Sequence, residues 1–153
     1  MTDFAKLLFD EASNDRLFDF CKTHRLGLAD VEDQSSLAPK DFKFHLTVMY
    51  SRVENPLFEV GEREIDPLTV ETESFDLFGP GNDLLVLRLK QHPDLSAMFE
   101  HYRETYGHVY DFPVFRPHVT IKGSSAGVRH RIGSIPLPDF PLLANRLEHK
   151  IKR

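Results

Sequence analysis

The sequence predicts an α+β fold: two mainly antiparallel sheets in two lobes facing a central cleft, with helices outside. Three observations carry this expectation. Apolar spacing runs helix, strands, helix, strands along the chain, the order of helices segregated over an antiparallel sheet. Two short strands 73 positions apart, at His45-Leu46-Thr47 and His118-Val119-Thr120, share one pattern and suggest two similar halves. No low-complexity segment or linker divides the 153 residues, so 1–153 reads as a single domain able to bury its own core.

The elements follow in order. From about Asp3 to Arg25, Phe4, Leu7 and Leu8, then Leu17, Phe18 and Cys21 have helical spacing. This predicts a helix-turn-helix or one broken helix, with Ser13 or Asn14 as a cap and Gly27 at the end. Ala29 to Lys40 is polar and loop-like; its Asp30, Glu32 and Asp33 read as an exposed acidic loop rather than a metal cluster. Phe42–Ser51 is a strand, and Val60–Phe78 one or two more. Gly79-Pro80-Gly81-Asn82 signals a turn joining this region to a strand over Asp83–Lys90. Pro93–Tyr106 has a helix-starting proline and Leu95, Met98, Phe99 and Tyr102 on one face, with Gly107 ending it. Phe115–Lys122 is the second motif strand, and Gly123–Gly127 a flexible link. Ile135–Leu137 and Leu142–Ile151 are expected to close the fold as strands.

Bulk properties narrow the function. The formal charge of -5 argues against a broad basic surface tracking long nucleic acid, though not against an anionic ligand in a local pocket. Between Phe112 and Pro138 there is no Asp or Glu, while Arg116, Lys122, Arg129 and Arg131 are basic. One Cys, Cys21, excludes an intramolecular disulfide and a cysteine-built zinc site, which fits a reducing cytoplasm. The acidic, charge-broken N-terminus does not read as a signal peptide, and no apolar run approaches the roughly 20 residues of a membrane span.

Alternation along a strand puts His45 and Thr47 on one face, and His118 and Thr120 on one face. Lys43 and Met49 extend the first polar face, Arg116 and Lys122 the second. Phe44, Leu46, Val48 and Tyr50, like Val119 and Ile121, read as core-facing. Two imidazoles across a phosphodiester can divide the work: the neutral one takes a proton from the attacking hydroxyl, the protonated one gives a proton to the leaving oxygen. Threonine hydroxyls can donate to the non-bridging oxygens, where charge develops. Lys122, with Arg116 or Lys43, can add positive charge. No metal or other cofactor is expected, since the motif strands bring no carboxylates. The plainer alternative is two unrelated strand histidines; the matched polar faces and basic flanks weigh against it.

The paired motifs resemble those of the two-histidine phosphoesterase superfamily. Within it, His45-Leu-Thr-Val-Met-Tyr-Ser-Arg52 and the expected helical start look most like the bacteriophage anti-CBASS nucleases. The resemblance implies metal-independent attack on a phosphodiester, with His45, Thr47, His118 and Thr120 catalytic and a cyclic di- or trinucleotide as substrate. It implies the host bacterial cytoplasm as the place of action. It further implies an aromatic near the N-terminus and an acid near the C-terminus against the base, for which Phe9 and Glu148 are the candidates. With no Trp in the chain, stacking falls to Phe75, Phe78 or Tyr50. An RNA 2',3'-cyclic phosphodiesterase related to the 2'-5' ligase-like proteins is the alternative, separable by a steep salt dependence. A non-cleaving nucleotide sponge is the second; stoichiometric capture with intact nucleotide recovered distinguishes it. Neither a membrane nor long nucleic acid is an expected partner, and the sequence does not fix the oligomeric state.

Overall fold

The computed structural model describes residues 1–26, 38–122 and 128–153. Strand β1 (Thr2–Phe9) leads into helix α1 (Glu11–Thr23). Strands β2 (His45–Ser51), β3 (Gly61–Val70), β4 (Thr72–Phe78) and β5 (Leu84–Leu89) follow, then helix α2 (Pro93–Tyr106), β6 (His118–Lys122) and β7 (Leu142–Lys152). Short 3₁₀ turns lie at Pro39–Asp41 and Arg129–Ser134. The predicted end of the first helix at Gly27, the acidic stretch through Asp30, Glu32 and Asp33, and the Gly123–Gly127 link lie outside the described residues.

The seven strands form one antiparallel sheet in the order β3-β7-β1-β2-β6-β5-β4. Two sheets across a cleft were expected; one sheet results because the two motif strands pair with each other. Leu46 of β2 stands opposite Val119 of β6 and is the single bridging pair of that junction. The neighbouring ladders β1–β2 and β5–β6 run over several residues. The two halves thus join edge to edge along a short seam. At the far end, β3 and β4 occupy opposite edges of the sheet, yet only Glu71 separates Val70 from Thr72. Consecutive Cα atoms are about 3.8 Å apart, so the two edges come within roughly 8 Å there and the sheet is strongly curled.

The opening segment corrects the expected helix. Phe4, Leu7 and Leu8 fit a helical period, but the segment is a strand flanked by β7 and β2. Ala5, Leu7 and Phe9 face the core on one side, while Phe4 is buried on the other against the Tyr50 ring and under the Lys152 ammonium. A strand apolar on both faces loses its period of two. Asp10 caps α1, its carboxylate accepting from the Ser13 amide at 2.7 Å. Ser13 and Asn14, the expected caps, make long-range bonds instead. The Ser13 hydroxyl accepts from the Leu143 amide at 2.9 Å. Asn14 donates to the carbonyls of Pro39 and Phe42 and accepts from the Phe44 amide.

The second half follows the sequence more closely. Helix α2 has the predicted bounds, with Gly107 at φ 65° ending it, a left-handed conformation that glycine adopts without strain. The β4–β5 hairpin turns at Gly79, φ 95°. Ile135–Leu137 is not a strand; the Arg129–Ser134 turn and an irregular stretch take its place. The core lies on one face of the sheet, where α1 brings Leu17, Phe18 and Cys21 and α2 brings Leu95, Phe99 and Tyr102 against Leu7, Leu46, Leu85, Leu87 and Val119.

Candidate active site

The antiparallel register Leu46–Val119 puts His45 beside Thr120 and Thr47 beside His118. Directly opposed residues have Cβ atoms about 5 Å apart, so the four motif side chains form one block across the β2–β6 seam, on the face away from the helices. All four are half-buried. Two motifs 73 positions apart in sequence are thus cross-strand neighbours.

The block lies in two transverse rows. One reads Glu148 on β7, Lys6 on β1, Thr47 on β2, His118 on β6, Arg88 on β5 and Ser74 on β4. The other reads Arg146, Leu8, His45, Thr120, Val86 and Asp76. Lys6 and Arg88 flank the block in the first row. Sequence reading missed both, because the strands that carry them neighbour the motif strands only in the folded sheet. Their strand alternation was the one available signal. Lys6 pairs with Glu148 at 3.2 Å, both side chains less than a fifth exposed. Arg88 stands 3.7 Å from both Glu73 and Asp76.

Each histidine is anchored by the backbone two residues earlier. The Nδ1 of His118 lies 2.8 Å from the Arg116 carbonyl. A carbonyl only accepts, so Nδ1 carries the hydrogen and Nε2 is left for chemistry. His45 has a matching backbone hydrogen bond with Lys43. Burial, then the charges of Lys6, Lys152 and His118, push the His45 imidazole down to about 4. Burial lowers His118 as well, helped by Arg116 and Arg88 and opposed by its backbone bond. Both rings are therefore neutral near pH 7. A negative charge placed against either ring would favour its protonated form.

Aromatic groups stand on both sides. Phe78 meets the His118 ring edge-on at 4.8 Å, and the Arg116 guanidinium lies over Phe78 at 4.4 Å. With Asp76, Pro80 and Phe112 they line a cavity of about 470 Å³ that reaches His118. On the other side, Phe4 lies 6.0 Å from the His45 ring and 5.7 Å from Tyr50. Tyr50 shares the site face although simple alternation assigned it to the core. The pairing shifts between Ala5–Met49 and Lys6–Thr47, so Val48 is an extra residue in β2. This bulge turns Met49, predicted on the polar face, into the core and Tyr50 out. A second cavity of about 410 Å³ lies where β1 meets α1, lined by Leu8, Phe9, Lys43 and Arg146 together with the carboxylates of Asp10, Glu11, Asp15 and Glu62; none of the four motif residues lines it.

The remaining predicted residues divide. Glu148 stands in the first row, two strands from Thr47. Arg116 is at the His118 end, and Lys122 closes β6 opposite Leu85. Phe75 is on the other face, stacked on Phe20 of α1 at 6.2 Å, because alternation along β4 gives the site face to Ser74, Asp76 and Phe78. Phe9 belongs to the core cluster and also lines the second cavity. Arg129 binds the Gly81 and Asn82 carbonyls, and Arg131 the His24 and Arg25 carbonyls, so these two cations tie the 3₁₀ turn to the hairpin and to the end of α1. Among the described residues, no group of three or more His, Cys, Asp or Glu side chains is arranged to hold a metal ion, and no helix is long and apolar enough to cross a membrane.

Residues 2–131 match the family model described as anti-CBASS protein Acb1. The matched span runs from β1 into the Arg129–Ser134 turn and includes both motif strands and both flanking cations. By that match over most of its length, the chain belongs to the Acb1 family of anti-CBASS proteins.

Proposed function

We propose that this protein acts against CBASS as a two-histidine phosphodiesterase, hydrolysing 3'-5' bonds of cyclic di- and trinucleotides without a metal. One observation carries the reading: His45, Thr47, His118 and Thr120 are cross-strand neighbours on the open face of the sheet, in a chain of the Acb1 family. His45, the more strongly depressed imidazole, is the general base and takes the proton of the attacking hydroxyl, that of the ribose or of water. His118 is the general acid. It gains its proton when phosphate binds and passes it from Nε2 to the leaving oxygen as the P–O bond breaks. Thr47 and Thr120 donate to the non-bridging oxygens, which gain charge in the transition state. The cavity beside Phe78 and Arg116, which reaches His118, supplies room for a nucleoside next to the scissile phosphate.

A substrate panel tests this. Cyclic dinucleotides, cyclic trinucleotides and an RNA ending in a 2',3'-cyclic phosphate are each incubated with the protein in excess EDTA. The expected result is linear product from the cyclic oligonucleotides with little salt dependence. Turnover confined to the RNA end, falling steeply with salt, transfers the same chemistry to RNA processing. Full-length cyclic nucleotide recovered from a folded protein that bound it stoichiometrically makes the protein a sponge and ends the enzymatic reading.

A further inference from the structure

We propose that Lys6 and Arg88 are the cations that hold the substrate phosphate over the His–Thr block, one from each side, with Glu148 fixing Lys6 in place. The proposal rests on the phosphodiesterase reading of the same site. Its first support is position. Lys6 is the register partner of Thr47, and Arg88 that of His118, so each stands one strand, about 4.8 Å, outside the seam and in the same row. A phosphodiester carries one negative charge and approaches two as the phosphorus becomes five-coordinate. Two flanking cations match the total of two charges reached there, and the neutral threonine hydroxyls alone do not.

The second support is energetic. Lys6 is 14% exposed and Glu148 19%. Desolvating an ion pair to this degree is often no better for stability than packing apolar side chains of similar size. Spending a charge pair here makes sense where the site uses the charge. Glu148 also reaches Lys150, at 3.7 Å, and so sets the Lys6 ammonium without cancelling the basic character of this end. Lys152 adds a further cation over Phe4.

The two cations are held differently, and this assigns them different parts. Lys6 is locked at hydrogen-bond distance in a shielded place and acts as a fixed charge beside Thr47 and His45. Arg88 is a third exposed and 3.7 Å from each of two carboxylates, beyond a good hydrogen bond. It can exchange Glu73 and Asp76 for two phosphate oxygens at low cost, in the paired geometry a guanidinium offers. Facing groups are His118, Arg116 and Phe78 at the Arg88 end, and His45, Lys152, Phe4 and Glu148 at the Lys6 end.

The test follows the two imidazole rings by NMR and uses inorganic phosphate as the probe. Wild type, Lys6→Gln and Arg88→Gln are compared, with Lys6→Arg and Arg88→Lys as conservative controls. Each glutamine variant is expected to weaken the phosphate-induced shift of the ring signals by about tenfold, the worth of one charge-assisted hydrogen bond. Lys6→Gln should also raise the titration midpoint of His45, and Arg88→Gln that of His118, with the conservative variants restoring both. If Lys6→Gln does not keep the wild-type amide spectrum, Lys6→Gln/Glu148→Gln removes both charges together and is read by its weakened phosphate response alone, with Glu148→Gln as its control. Variants that bind phosphate as wild type does, with unmoved midpoints, overturn the proposal. So does a wild-type protein in which phosphate moves neither ring. Phosphate results as expected, with no cyclic nucleotide cleaved, leave the cations in place and remove only the substrate reading.

Discussion

Within the candidate site, His45 is the residue on which burial and charge act most strongly. Its ring sits on β2 between Lys6, Lys152 and His118, and its imidazole falls to about 4. An exposed histidine in the unfolded chain titrates near 6.5. The folded value is the lower one, so the stability linked to His45 is fully present above about 6.5 and is lost as pH falls towards 4. Over that window the loss is up to about 3 kcal/mol. Denaturant unfolding of wild type and His45→Gln at pH 7 and pH 5 checks this: the gap between the two pH values should shrink in the variant. In the proposed mechanism the same shift keeps His45 functional as a base well below neutral pH. The acid limb of the kcat/KM profile should therefore lie below pH 6, and Lys6→Gln should move it upward. The pattern shared by the two histidines and two threonines was legible in the sequence because it is written in four residues on two strands, and the structure brings those strands side by side. Sequence reading did not find Lys6 or Arg88, whose relevance depends on which strands become neighbours.

At the level of the element, two local features set where the motif strands begin and which way they face. Asn14 in α1 closes three hydrogen bonds to the chain entering β2: two from its amide group to the Pro39 and Phe42 carbonyls, and one from the Phe44 amide to its oxygen at 2.9 Å. Asn14→Ala leaves the buried Phe44 amide unsatisfied and should cost about 2–4 kcal/mol, read as a fall in Tm of several degrees. It should slow catalysis less than either histidine substitution. The bulge at Val48 is the second feature, and it brings Tyr50 to the site face. Neither was legible beforehand. Asn14 looks like a helix cap, and a bulge is set by pairing with β1. Helix α2 and the Gly79–Asn82 hairpin were legible because proline, glycine and apolar spacing act locally. β1 was misread because a strand buried on both faces carries no alternation.

Across the whole molecule, long-range polar contacts hold the ends of the fold around the seam. Asp3 at the start of β1 accepts from His108, just after α2, at 2.8 Å and from the Asn55 amide at 2.9 Å, with both side chains of the first pair essentially inaccessible. Asp3→Ala strips a buried ring and a half-buried amide of their partner and should cost about 2–4 kcal/mol, with KM for substrate nearly unchanged in the protein that remains folded. The expectation of two sheets gave way to one because a single pair, Leu46–Val119, joins the halves. That contact links residues far apart in sequence, and no local pattern announces it. The same contact brings the two motifs together and underlies the central claim that they form one site. The direct measurement is single-turnover cleavage of a cyclic dinucleotide, in EDTA, by wild type, His45→Ala, His118→Ala and the double variant. A single site predicts that each single variant loses at least about 10²-fold and that the double variant loses little more than the worse single, since acid and base serve one step. Full activity in either single variant, or losses that multiply as for independent sites, would contradict it.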